Sequence, residues 1–333
     1  MDAIREVLAE YQDYLMSLDN VIGVGIGYKT LKGEKTNELA IIIFVKKKLP
    51  QAHLWEDQVV PRKLDKVSTD VVEAGEVNAF ERTTNVRPAY PGVSIGHFQV
   101  GAGTFGAVVR DKKTDESLIL SNNHILADAT NGTDGRALIG DPIYQPGLYD
   151  GGVGEDALGY LERFIPIIKT YEEADYSMAV AALNAGNRVV KMIRPNYRLR
   201  LEINHGITNK VDAAVARPIK KDLISPEIFG LGRVKGVGRA KLGLNIRKSG
   251  RTSGVTSGIV TATDVTINVQ YGKNETALFS DQVMADIKSR PGDSGSLIVD
   301  DELNAVGLLF AGSDNITVFN NIANVTAALD VKF

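Results

Sequence analysis

The chain contains no cysteine, which removes a disulfide framework, a thiolate nucleophile and a cysteine-ligated metal site from consideration. Small secreted enzymes lean on disulfides, so this absence points towards a reducing, cytoplasmic setting. Long apolar runs are also missing. Asp2, Glu6, Glu10 and Asp13 interrupt the first twenty residues, and nothing further along approaches a membrane span, so neither a signal peptide nor a membrane partner is expected. A net charge of −3 over 333 residues provides no basic field for nucleic acid. Aromatic residues are few at 7%, whereas glycine is plentiful at 33, a balance that suits many short strands and tight turns rather than a helical bundle. P-loop and paired-histidine zinc motifs are absent, and Gly23-Val-Gly25-Ile-Gly27 lacks the third glycine and the following helix of a dinucleotide site. No metal or cofactor is expected.

What is present reads as two units. Ile4, Val7, Leu8, Tyr11 and Leu15 recur at helical spacing within residues 1–18. Strand patterns follow at 21–28 and 38–45, joined by a polar stretch that suits a hairpin, with a further strand at 68–77. Lys46, Lys47 and Lys48 read as a solvated strand end. The two prolines and polar residues of 81–92 mark a boundary, giving an α+β unit over 1–86, with an assembly or regulatory role, and a second unit over 87–333. Beyond the boundary short strands dominate, at 106–109, 118–121, 212–216, 247–249, 258–263, 265–271, 283–287, 297–299, 305–310 and 316–319. Residues 171–184 and 322–329 look helical, and 169–210 departs from the β rhythm as an insert.

Three segments carry the chemistry. In Pro291-Gly292-Asp293-Ser294-Gly295-Ser296, a serine sits at the tip of a turn between glycines, where adjacent amides can converge on one point. Ser294 is the candidate nucleophile, the amides of Gly292 and Ser294 a candidate oxyanion hole, and Asp293 a pin behind the turn. His124 ends an apolar strand in Leu118-Ile-Leu-Ser-Asn-Asn-His124 and is the candidate general base; the other histidines are His53, His97 and His205. A carboxylate must orient that imidazole. Asp212 opens a strand of small and β-branched residues, whereas Asp175 falls within the insert; placement at a strand edge favours Asp212.

The order SNNH, VDAA, GDSGS resembles that of the trypsin-like serine peptidases, and in detail the group that includes the plant narrow-leaf proteins and their bacterial relatives. Further matching stretches are Arg87-Pro with Val93-Ser-Ile-Gly-His97, Gly140-Asp-Pro-Ile-Tyr-Gln-Pro-Gly147, Lys248-Ser-Gly-Arg-Thr-Ser-Gly254 and Gly307-Leu-Leu-Phe-Ala-Gly312, with Val21-Ile-Gly-Val-Gly-Ile-Gly27 and Ala40-Ile-Ile-Ile-Phe-Val-Lys-Lys-Lys48 in the first unit. The resemblance implies a mainly β fold of two six-stranded barrels behind a small α+β domain, with a serine endopeptidase site in the cleft between the barrels. It supports Asp212, and it implies that a peptide substrate pairs with Phe310, Ala311 and Gly312 while Lys288 approaches the base of the side-chain pocket. The longer insert departs from the pattern and keeps Asp175 open. A protein or peptide is the expected partner, homo-oligomerisation is open, and the alternative is a trypsin-fold protein that binds peptides or partners without cleaving them.

Overall fold

Ile4, Leu15 and Leu18, buried on one side of the helix Asp2–Ser17 and the turn after it, pack with Ile41, Ile43 and Val45 of the strand Glu34–Val45. Their helical spacing produces this face, since only residues three and four apart can share it. Val21–Leu31 and Glu34–Val45 form the expected antiparallel hairpin, with Gly25 opposite Ile42 and Gly27 opposite Ala40. Val67–Glu73 adds in parallel, placing Thr69 opposite Ile41. The computed structural model describes residues 1–31, 34–50, 54, 58–75, 82–173, 176–204, 206–273, 275–313 and 315–333. The chain divides into two compact units, Met1–Phe80 and Glu81–Phe333.

The second unit is built on two closed sheets. In the first, Ser117–Ser121 pairs with Ala107–Asp111 on one side and Ala214–Pro218 on the other, and the order continues through Ala157–Phe164 and Pro142–Tyr144 to Ser94–His97. Ser94–His97 then pairs with Gly103–Thr104, which runs on into Ala107–Asp111 and closes the ring. In the second, Asn304–Gly312, Leu297–Asp300, Asn245–Gly250, Gly254–Gly272, Glu275–Ala285 and Thr317–Asn321 follow one another, and pairing of the last with the first closes six strands. Closure removes the free edges that would otherwise invite association.

Each barrel is filled by the inward side of its alternating strands. Ile95, Phe105, Ile119, Leu158 and Ala216 fill the first, and Ile246, Val260, Val283, Ile298 and Phe319 the second. Fully buried phenylalanines such as Phe105 and Phe319 each contribute about 2–3 kcal/mol of apolar transfer energy. A third cluster joins Leu118, Leu120 and Val215 to Leu297, Leu308 and Ile322, so side chains from both barrels share one core. The C-terminal helix Ile322–Ala328 seals it, its N-terminus capped by the Asn321 side chain accepting from the Ala323 amide.

Two expected elements differ. Residues 258–263 and 265–271 belong to the single strand Gly254–Gly272, because Asp264, at φ 56°, makes a bulge there and not a chain reversal. Within the insert, Tyr171–Glu173 is a short strand paired with Glu202–Asn204, and the helix runs later than expected, from Ser177 to Ile193.

Candidate active site

His124 lies in the one-turn helix Asn123–Leu126, directly after the strand Ser117–Ser121. Asp212 is fully buried two residues before Ala214–Pro218, which pairs with the same strand through Ala214 and Ser121. This pairing sets the two residues beside each other. The His124 Nδ1 lies 2.5 Å from Asp212 Oδ2, and the His124 amide donates to Asp212 Oδ1 at 3.2 Å. With Nδ1 engaged, the other ring nitrogen is the one free for chemistry.

Three residues outside the expected set hold this pair. Tyr271, from the long strand Gly254–Gly272, donates its hydroxyl to Asp212 Oδ2 at 2.8 Å. Burial pushes the Tyr271 phenol well above its ordinary value, and the neighbouring Asp212 carboxylate pushes it further, so it stays a donor. Asn320 accepts from the Asp212 amide at 2.9 Å, and the Asn122 side chain donates to the Asp212 carbonyl at 2.7 Å. Tyr271 also meets the imidazole edge-on, ring centres 5.8 Å apart, and the contact continues through Phe279 to Phe310. A lone tyrosine in a β pattern carries no sequence signal for this role. We expect Tyr271→Phe to lower kcat about tenfold with KM and thermal stability nearly unchanged, because it deletes one hydrogen bond to the carboxylate and leaves the ring packing intact. Steady-state kinetics beside a melting curve checks this.

Ser294 sits on a turn tied to both barrels. Its carbonyl accepts from the Thr104 amide at 2.7 Å, and the Gly295 amide donates to Leu309 O at 2.8 Å. Glycine is required at 295, where φ is +93° and a Cβ would stand 2.2 Å from Ser121 Oγ. Gly292, at φ +97°, likewise needs a conformation that side chains disfavour. The turn leaves the amides of Gly292 and Ser294 without a protein acceptor among the described residues. The Ser294 hydroxyl donates to Phe310 O at 3.4 Å, a weak bond.

Behind the turn, the fully buried Asp293 receives the Thr252 amide at 2.9 Å, the Ser253 amide at 3.0 Å, the Arg290 amide at 2.9 Å and the Ser253 hydroxyl at 2.5 Å. Lys248, also fully buried, completes the set at 3.0 Å from Oδ2 and donates to Ser253 Oγ as well. Burial alone would raise the Asp293 carboxyl. The Lys248 charge, the Ser253 hydroxyl and the amides outweigh it and hold the group below its ordinary value.

His124 and Ser294 line one cavity of about 670 Å³, together with Phe310, Ala311 and Gly312. Ile267–Tyr271 form another wall, and Met284, Ser289, Leu309, Ile316 and Val318 line it further. Lys288 is placed differently from the expectation. It is exposed, does not line this cavity, and offers its backbone carbonyl to Thr256, whereas the next residue, Ser289, faces the cavity. Asp175, His53 and His205 lie outside the described residues. Among the described residues no cluster of three or more His, Cys, Asp or Glu is arranged to hold a metal ion, and no helix is long and apolar enough to cross a membrane.

Comparison with known proteins finds a family model that matches within the first unit. Residues 4–72 match the NARROW LEAF 1 N-terminal domain. Solved structures similar to the chain include protease A of Thermobifida fusca, at 14% identity over 73% of this chain and 98% of that one, with a TM-score of 0.46. A Nocardiopsis protease is similar at 15% identity over 73% and 98%, with a TM-score of 0.47. A serine protease described as glutamic acid specific, and as using a histidine triad in substrate binding, is similar at 16% identity over 73% and 99%, with a TM-score of 0.45. No curated protein matches the chain.

Proposed function

We propose that the protein is a serine endopeptidase that hydrolyses peptide bonds through an acyl-enzyme. The observation that carries this reading is the buried Asp212 carboxylate bonded to His124 Nδ1 beside a cavity that Ser294 also lines. Rotation about the Ser294 Cα–Cβ bond gives up the weak contact with Phe310 O and turns the hydroxyl to the free imidazole nitrogen. The imidazole takes the proton as Ser294 Oγ attacks the substrate carbonyl. Asp212 holds the ring and stabilises its charged form. The amides of Gly292 and Ser294 receive the developing oxyanion, and the imidazolium then protonates the leaving amine. Water repeats the sequence to release the acid. The substrate backbone pairs along Phe310–Gly312 as an added strand. Casein and peptide libraries, assayed beside small esters, test the reading: peptide hydrolysis supports it, and turnover of esters alone restricts the site to esterase chemistry.

Specificity follows from the cavity wall. Ser289 Oγ and Thr317 Oγ1 are 2.6 Å apart, and Thr317 passes its bond to Ile287 O, so these hydroxyls are spent on each other. Met284, Leu309, Ile316 and Val318 supply apolar surface, Arg290 brings a positive charge to the lining, and Asp, Glu and Lys are absent from it among the described residues. An uncharged side chain of moderate size, such as leucine or methionine, is therefore expected before the scissile bond. Cleavage-site profiling should show it favoured over lysine and arginine by about tenfold or more, because a buried cation there would be unpaired and would face the like charge of Arg290.

The alternative, a trypsin-fold binder that does not cleave, has one observation on its side: the Ser294 hydroxyl points to Phe310 O. It predicts peptide binding without turnover. For the first unit, we propose an assembly or packing role. Removing residues up to Glu81 should then leave peptidase activity per folded molecule within about twofold, whereas an inhibitory role predicts a rise of tenfold or more.

A further inference from the structure

The insert helix Ser177–Ile193 has no buried residue, although half its circumference is apolar. One side rests on its own return segment, where Asn187 exchanges hydrogen bonds with the backbone of Leu199 at 2.7 and 3.1 Å. The other side bears Met178, Ala182, Ala185, Val189 and Met192, spaced four, three, four and three residues apart, the seam spacing of two packed helices. All five face solvent, with Met178 71% exposed, Val189 55% and Met192 81%, and Ile193 beside them 73%. A helix of this length is marginal in water without tertiary packing, so an uncovered seam implies something that covers it.

We propose that the seam is covered by the same helix of a second copy of this chain, packed antiparallel about a twofold axis. Four of its five positions are self-complementary about a point between Leu183 and Asn184. Reversing direction sets Ala182 against the partner's Ala185, where small side chains let the backbones approach, and Met178 against the partner's Val189. Charge selects the direction. Between Ser177 and Leu201 lie Arg188, Lys191, Arg194, Arg198 and Arg200 and no acidic residue. Parallel packing would bring these basic ends together, whereas antiparallel packing parts them by about the helix length, roughly 25 Å. Arg188 and Lys191 lie on the polar arc with Asn184, off the seam. One helix face per chain falls at the small end of a standard interface, roughly 800 Å² per partner, which suits reversible association. The inference does not depend on the chemistry of Ser294.

Sedimentation velocity of the full chain across a hundredfold concentration range tests this. The expected result is a concentration-dependent assembly whose mass halves in Val189→Glu, with the two melting temperatures equal at dilutions where both chains are monomeric, because the site is then exposed. A wild-type chain that stays monomeric throughout, or an assembly that Val189→Glu leaves intact, overturns the proposal. Absence of native cysteine makes a geometric test clean. Mixed Ala182→Cys and Ala185→Cys chains should cross-link to each other on mild oxidation more efficiently than either alone. Preferential cross-linking of identical positions refutes the antiparallel pairing. Vesicles of phosphatidylserine and phosphatidylcholine provide the last arm: a monomer that co-sediments with them, and loses this in Val189→Glu, would assign the seam to a lipid surface and overturn pairing of copies.

Discussion

Ser294→Ala is expected to abolish labelling by a serine-directed fluorophosphonate and to lower peptide hydrolysis by on the order of 10⁶-fold, while binding of peptides along Phe310–Gly312 survives. The loss is large because the residues act as one unit. Without the hydroxyl, the imidazole has no proton to accept, and Asp212 has no developing charge to stabilise. The residual rate should be that of the two free amides and of binding alone. Ser294→Ala should leave the fold intact, since its side chain makes only the weak 3.4 Å contact with Phe310 O and the turn is held by backbone bonds to Thr104 and Leu309. A variant as active as the parent would remove Ser294 from the chemistry.

The second large effect is expected at a residue that touches no substrate. Lys248→Met should destabilise the second unit by about 3–5 kcal/mol and lower activity by at least a hundredfold, because it leaves the Asp293 carboxylate buried beside an uncharged neighbour. Asp293 relieves this by moving or by taking a proton, and either change disturbs the turn that aims the Gly292 and Ser294 amides. Pairing Lys248→Met with Asp293→Asn should recover part of the stability, since no charge is then stranded, yet leave activity low. The sign of the pH effect follows from the depressed Asp293 group. Its stabilisation is fully present above the unfolded carboxylate value of about 3.9 and is lost as pH falls through the lower folded value, so the parent turn should hold down to about pH 4. Melting temperatures from pH 3 to pH 8, with activity measured on return to neutral pH, check both points. Equal stability of Lys248→Met and the parent would show the pair to be incidental.

Legibility in the sequence tracks how local each physical requirement is. A tight turn that presents a serine needs glycines beside it, so Gly292–Gly295 could be read directly, and the apolar strand before His124 marked a fixed strand end. Helix and hairpin patterns in the first unit were equally plain, since their periodicities arise within a few residues. Tyr271 and Asn320 escaped notice because they reach Asp212 from strands 59 and 108 positions away, and a tyrosine or asparagine in a strand has many ordinary uses. Lys248 stood within a quoted motif, but its partnership with Asp293 spans 45 positions and depends on how the second barrel closes. Strands Pro142–Tyr144 and Ala157–Phe164 lack a strong alternating pattern and are specified by their neighbours in the first barrel. Alternation along an extended segment turns neighbours to opposite sides, so Ser289 faces the cavity and Lys288 does not.

The most direct measurement is the mass and location of the adduct formed when the full chain meets a fluorophosphonate. The account predicts one phosphonyl group per chain, attached to Ser294, with labelling slowed at least a hundredfold in His124→Ala. Folded protein that gains no adduct, or gains it on another serine, would contradict it.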